Sequence, residues 1–314
     1  MLQYVIQRTL QTVIVLLFLT LFCFLLLHFI PGDPVLQILG EEATEEEIQK
    51  LRQELGLDKP LLVQYWDWLT DVLQGDLGTS IIYRESVSSL ILHRLTPPLH
   101  IGLTAFAISV IFGVIFGIIA AIRRGSWVDG LISTAANVGL AIPNFWLGIL
   151  GIYFIGLKLG WLPIQGYVPP TEDFWLSTKY ILMPALILGF SSMSVLARQT
   201  RSSMLEVIRQ DYIRTARSKG LKKSVIIRKH ALKNAFIPII TLCGLMLPHV
   251  VGGSVIIEQV FNINGVGRLM LTSVFNQDIV VVQGCLIVIG VAVALANLLV
   301  DLSYGYLDPR IRYK

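Results

Sequence analysis

Six stretches of the chain are apolar over lengths that approach the roughly 20 residues a helix needs to cross hydrocarbon. They run Leu10–Ile30, ending at Pro31-Gly32; about Ile101–Ile122, closed by Arg123-Arg124-Gly125; about Leu131–Leu157, with Pro143 inside; about Ile181–Ala197; about Phe236–Ile257; and about Ile279–Tyr304. The fourth is the shortest and is expected to continue as helix beyond Arg198. The pattern predicts an all-α polytopic membrane protein with six spans. The first run is longer than a signal-peptide core, and Ile30-Pro31-Gly32-Asp33 lacks a small-x-small cleavage site, so it reads as an uncleaved span.

The polar stretches between these runs differ in sign. Arg198 to Lys233 carries Arg198, Arg201, Arg209, Arg214, Arg217, Lys219, Lys222, Lys223, Arg228, Lys229 and Lys233 against Glu206 and Asp211. Arg8, Arg123-Arg124 and the tail residues Arg310, Arg312 and Lys314 fall on the same side if there are six spans. Short basic segments stay inside, which predicts that both termini and the 198–233 segment are cytoplasmic. Pro31 to Leu99, on the opposite side, has twelve Asp or Glu against five Lys or Arg. Within it, Thr44 before Glu45-Glu46-Glu47 reads as a helix N-cap with acids in the first turn. Ile48, Leu51 and Leu55 keep a helical spacing, and Gly56 ends the helix. A second apolar run, Leu61–Leu73, holds Tyr65, Trp66 and Trp68, and packing on the spans is the expected fate of this helix. The organisation predicted is one transmembrane domain over 1–314: a first span at 10–30, an extracytoplasmic segment at 31–99, core spans within 101–304 that enclose the cytoplasmic segment 198–233, and a tail at 305–314.

Composition agrees: 54% of the residues are apolar and 15% charged, with a mean hydropathy of +0.69, whereas a soluble domain is about one quarter charged. Cys23, Cys243 and Cys285 lie far apart in apolar runs, so neither disulfides nor a zinc site is expected. His28, His93, His100, His230 and His249 offer no i, i+3 or i, i+4 pair for a metal. HExxH, GxSxG, GxGxxG and a Walker A loop are all missing from the chain, which predicts no ATPase or other enzymatic site of its own and no cofactor held by it. Nucleic acid is not an expected partner; the lipid bilayer is.

The 198–233 segment carries the most specific signal. Glu206 to Leu221 and then Lys222 to Asn234 read as helix, glycine, helix, with Gly220 where a helix end needs a positive φ. Two patterned helices exceed what a topology signal requires, so a docking surface for a cytoplasmic partner is expected. Tyr212-Ile-Arg-Thr-Ala-Arg-Ser-Lys-Gly220, followed by His230-Ala-Leu-Lys-Asn234-Ala, resembles the ATPase-docking loop of ABC importer permeases, and more narrowly that of the dipeptide, oligopeptide and nickel permease family. Arg214, Thr215, Ala216 and Gly220 stand at the family's Glu-Ala-Ala…Gly positions, of which the last alanine and the glycine are kept. The same likeness appears in Pro31-Gly-Asp-Pro34, Leu55-Gly-Leu-Asp-Lys-Pro60, Gly75-Asp-Leu-Gly-Thr-Ser80, Ala141-Ile-Pro-Asn-Phe-Trp146, Val260-Phe261, Gly265-Val-Gly267, Asp278, Gln283-Gly284 and Leu307-Asp-Pro-Arg-Ile-Arg312. Asn262-Ile263-Asn264 stands where relatives often carry Trp-Pro.

The resemblance implies a type I importer permease of the inner membrane. It would pair with a second homologous permease, two cytoplasmic nucleotide-binding subunits that bind ATP and Mg, and an extracytoplasmic solute-binding protein. It implies a coupling loop made by Tyr212, Arg214, Thr215, Ala216, Arg217, Gly220 and Leu221, with Ala216 and Gly220 on one face as a shallow notch for the ATPase. Polar residues in the spans, Asn144, His249, Glu258, Asn297 and Asp301, are candidates for the translocation pathway, with Asn137 beside them; the alternative for each is a hydrogen bond between helices. Peptide is the expected solute. A nickel or metal-chelate solute is the alternative within the family, and a stand-alone channel or membrane enzyme the alternative outside it.

Overall fold

The structure, a computed structural model, describes residues 2–29, 35, 39, 43–54, 56–252 and 255–307. Among these residues the regular elements are helices, and the one β-bridge joins Thr79 to Ser86. In chain order they are α1 (Leu2–Phe29), α2 (Glu45–Glu54), α3 (Leu61–Leu73), α4 (Val87–Leu92), α5 (Thr96–Ile122), α6 (Trp127–Ala141), α7 (Asn144–Gly151), α8 (Phe174–Ile208), α9 (Asp211–Ser218), α10 (Lys223–Val225), α11 (Leu232–Met246), α12 (Pro248–Gly252), α13 (Val255–Val260), α14 (Val266–Phe275) and α15 (Ile279–Leu307). Wider π-type turns at Ile152–Lys158 and Ile226–Ala231 extend α7 and join α10 to α11.

Four of the six expected spans are unbroken helices: α1, α5, α8 and α15 are each long and apolar enough to cross a bilayer. As the sequence predicts, α8 runs well past Arg198, to Ile208. The third stretch is not one rod. It divides at Ile142-Pro143 into α6 and the α7 segment, which meet at 105°, because proline has no N–H to donate and forces the residue before it into extended geometry; Ile142 sits at φ −86°, ψ 128°. The fifth stretch likewise divides at Leu247, between α11 and α12, with Pro248 opening the second piece.

The most extensive helix pair is α5 against α8. A side chain at Gly113, Gly117 or Gly189 would place a Cβ within 3 Å of backbone on the facing helix, so the glycines set how closely these two helices approach. Ser109 Oγ crosses the same seam to the Gly189 carbonyl at 2.8 Å. Below it, Ala121, Met204, Ile213, Ala216, Ile226, Ala231 and Ala235 form one buried cluster at the end of the bundle that bears the cationic segment.

The segment before α5 closes the opposite end. Thr44 donates from its backbone N–H and its hydroxyl to the Glu47 carboxylate, both at 2.9 Å, and Glu47 N–H returns to Thr44 Oγ at 3.4 Å. That reciprocal cap is the expected start of α2, and it holds Glu47 below the usual carboxylate pKa. Gly56 adopts φ +64° just past the end of α2. Helix α3 packs on α1, as the sequence suggests: Phe24 meets Tyr65 edge-on at 5.4 Å and Trp68 at 5.7 Å, and Thr20 and Tyr65 share a 3.0 Å hydrogen bond between hydroxyls. At the cationic end α1 is tied to α15 by Arg8–Asp301 at 3.3 Å and by Tyr4 Oη donating to the Asp301 carbonyl at 3.1 Å.

Candidate functional site: a helical hairpin at the cationic end and a cavity above it

Helix α9 is eight residues long and has two unlike faces. Ile213 and Ala216, three residues apart, point into the buried cluster; Asp211, Arg214, Thr215, Arg217 and Ser218 are exposed. Its end is a Schellman motif: Gly220 N–H donates to Arg217 O at 2.9 Å, Leu221 N–H to Ala216 O at 3.4 Å, and Gly220 takes φ +74°. Asn234 Nδ2 donates to Tyr212 Oη at 2.7 Å, which locks α9 onto the first turn of α11. The outward surface therefore carries Tyr212 and Leu221, 41% and 40% exposed, amid Arg214, Arg217, Lys219 and Lys222.

One expected detail is corrected. Ala216 does not share an exposed notch with Gly220. It is 7% exposed and packs inward, while a Cβ on Gly220 would meet nothing within 4 Å. The reason is the buried demand of Ile213: on a helix this short, the residue three positions on must share its face.

A bidentate ion pair fixes the platform under α9. Arg201, on the extension of α8, donates from Nε to Asp129 Oδ1 at 2.7 Å and from Nη2 to Oδ2 at 2.9 Å. Asp129, at the start of α6 and 5% exposed, also accepts from Gly125 N–H at 2.9 Å. Forked charge-assisted bonds of this kind are the strong ones. Asp129→Ala leaves the guanidinium without its partner, and a hydrogen bond to a charged group contributes about 1.5–3 kcal/mol. We expect Asp129→Ala and the double variant with Arg201→Ala to melt at nearly the same temperature in detergent. Additive losses would show that the two side chains act separately.

Half-way along the bundle, α5, α7, α8, α11 and α12 surround an open cavity of about 500 Å³. Its walls are apolar at Phe106, Val195, Leu242, Leu245, Met246 and Val250 and polar at Ser109, Asn144, Ser191 and Ser192. Asn144, a pathway candidate from sequence, reaches this cavity because it is the first residue after the Pro143 break. The sequence reading missed Ser191 and Ser192, although two adjacent serines inside an apolar run were a visible signal.

The other pathway candidates fall elsewhere. Glu258 is wholly buried, and its carboxylate accepts from Arg268 N–H at 2.8 Å. It thereby caps α14, whose own N-cap is Gly265; a Cβ at 265 would lie 2.5 Å from that carboxylate. The structure thus assigns Glu258 a capping role rather than a place on the cavity wall. Asp301 faces Arg8 and binds α15 to α1, and Asn297 is exposed on α15. Asn137 is exposed on α6 beside Arg198 and Arg201. The side chain of His249 lies outside the described residues. At the opposite end, Asp278 is 1% exposed and accepts from Ser80 Oγ at 2.5 Å and from Ile82 N–H at 3.4 Å. This contact ties the Gly75–Ser80 turn to the start of α15.

Residues 113–313 match the family described as binding-protein-dependent transport system inner membrane component, and residues 1–104 match its N-terminal membrane component. The glutathione transport system permease protein GsiC of Salmonella typhimurium is 42% identical over 314 residues, covering 100% of both chains. A Brucella abortus (strain 2308) protein, provisionally named a peptide transport system permease protein, is 40% identical over 311 residues, 98% of each chain. Among solved structures, an inward-facing MetNI methionine ABC transporter chain superposes with a TM-score of 0.56 at 17% identity, over 70% of this chain and 96% of that one; the likeness is one of fold. Matched in both its parts and over its full length, the chain belongs to the inner membrane components of binding-protein-dependent transport systems, the multi-pass permease subunits of ABC importers.

Proposed function

We propose that this chain is one of two permease subunits of a peptide importer, that it crosses the membrane six times with both termini in the cytoplasm, and that the α9–Leu221 hairpin is where a cytoplasmic ATPase subunit docks. The observation that carries the docking is the two-faced build of α9. Its apolar face is sealed in the chain's own core, yet Tyr212 and Leu221 remain exposed within a cationic rim. A half-apolar, half-charged patch on a rigid element suits a partner surface better than it suits water. Because α9 follows α8 after only Arg209 and Gln210, and is locked to α11, displacement of the hairpin acts on two membrane helices at once.

The division of labour follows. ATP and Mg belong to the ATPase subunits, and an extracytoplasmic protein hands the solute to the side where residues 31–99 lie. Peptide is favoured as solute by relatives named for peptide and glutathione transport. The test combines ATPase pull-down with uptake of labelled dipeptide in the same cells. Leu221→Asp should accumulate normally, because residue 221 is exposed, yet lose most pull-down and uptake. Wild-type values for both would remove the hairpin from coupling. A cysteine at Lys219 should resist an impermeant thiol reagent in intact cells and react after lysis; labelling from outside would invert the topology.

A further inference from the structure

Several hydroxyls within the helices of this chain turn back on their own backbone, although the buried Ser177, Thr200 and Ser273 have no partner among the described residues. Thr20 Oγ1 donates to Leu17 O at 2.9 Å, Ser194 Oγ to Phe190 O at 2.9 Å, and Ser109 Oγ lies 2.6 Å from Ala105 O. Such bonds are the default for a polar side chain away from water. Asn144, Ser191 and Ser192 depart from it. All three line the central cavity, and among the described residues none makes a hydrogen bond within the chain. All three are half-buried and open to the cavity, so their polar atoms can bond whatever fills it. The described walls also hold no Asp, Glu, Lys, Arg or His.

We propose that Asn144, Ser191 and Ser192 are this subunit's specificity-determining contacts for the transported solute, a neutral set that bonds peptide backbone amides and does not sort side chains by charge. The inference rests on the peptide reading above. The chemistry of the three groups supports it. A carboxamide carries both N–H donors and a carbonyl acceptor, so it can answer the C=O and the N–H of a peptide unit, and a serine hydroxyl can give or take a hydrogen bond. None of them favours an anionic or a cationic side chain. The facing wall of Phe106, Leu242, Leu245 and Met246 is apolar, and methionine adapts to side chains of different shape. The cavity's roughly 500 Å³ falls within the 300–1,000 Å³ range of small-molecule sites. A few uncharged contacts also bind weakly enough for release, which conduction through a pathway requires.

The experiment uses the complete importer in cells, with three labelled dipeptides of equal length: one neutral, one containing glutamate and one containing lysine. Accumulation and ATPase pull-down of each variant are measured alongside. Asn144→Leu combined with Ser191→Ala and Ser192→Ala should cut uptake of all three peptides alike, by about tenfold, with assembly unchanged. Ser192→Asp should shift the uptake ratio of lysine to glutamate peptide upward by about tenfold, and Ser192→Lys should shift it the other way, since a fixed charge in a poorly screened cavity favours the opposite sign. The ratio is the deciding readout, because a merely structural role would lower all uptake without moving it. Dipeptide uptake by the wild type with no ratio shift in either charged variant would place the three side chains outside the pathway and overturn the assignment. A wild-type importer that takes up another solute and no peptide would overturn the peptide reading, and this inference with it.

Discussion

Leucine in place of Gly117 should leave little or no protein in the membrane. A Cβ at position 117 would lie 2.6 Å from Ala197 O and 2.5 Å from Thr200 Cβ, both on α8. Neither atom is the loose end of a flexible side chain, so the helices themselves must part. Tilting offers no escape. Gly113, one turn earlier, already stands where a Cβ would be 2.8 Å from Leu196 Cβ and Met193 O, and Gly189 of α8 makes the same approach to Ala105 O. Overpacking a tight interior costs about 1–3 kcal/mol and sometimes more. Parting α5 from α8 would also expose Leu196, Ala197, Ala120 and Ala121, all buried. Gly130→Leu is the matched control, since nothing lies within 4 Å of a Cβ there. Immunoblots of membranes should show normal Gly130→Leu, reduced Gly117→Ala and almost no Gly117→Leu. Wild-type abundance and melting temperature for Gly117→Leu would mean that α5 and α8 are not held by this seam.

What the sequence made legible was local. Thr44 and Glu47 form their cap, Gly56 and Gly220 take positive φ after helix ends, and Pro143 breaks a span, because each depends on a few neighbouring residues. Pairings between distant elements were not legible. The most extensive helix pair is closed by Gly113, Gly117 and Gly189. The four-residue spacing Gly113-Val-Ile-Phe-Gly117 was the available signal. Glu258 and Asp301 looked alike as acids near span ends; only the fold shows that one caps α14 and the other meets Arg8. Asn262-Ile263-Asn264 follows the same rule. Asn262 adopts φ +51°, a conformation asparagine tolerates better than most residues, and this turn directs Ile263 into the core at 1% exposure.

An aspartate at Ala216 should fail differently from an aspartate at Leu221, and the contrast separates a folding defect from a docking defect. Ala216 sits among Ile213, Met204, Ile226 and Ala231, the last three and Ile213 itself at 4% exposure or less. A carboxylate there has no cation inside the cluster to pair with, and burying an unpaired charge costs far more than burying a methyl group gains. The least costly response is for α9 to detach, with Gly220 and the Tyr212–Asn234 bond going with it. Ala216→Asp should therefore lower the melting temperature in detergent and open the 209–222 segment to protease, in addition to abolishing uptake. Leu221, already 40% exposed, offers no such penalty; Leu221→Asp should melt and resist protease like the wild type while losing the ATPase. Gly220→Ala lies between the two, with strain of about 1 kcal/mol from a positive φ and no clash within the chain. Protease mapping and melting curves, read beside pull-down, give the answer. An Ala216→Asp protein with wild-type melting and an intact 209–222 segment would mean that residue 216 faces outward in the membrane, and that its place on α9 is at the partner after all.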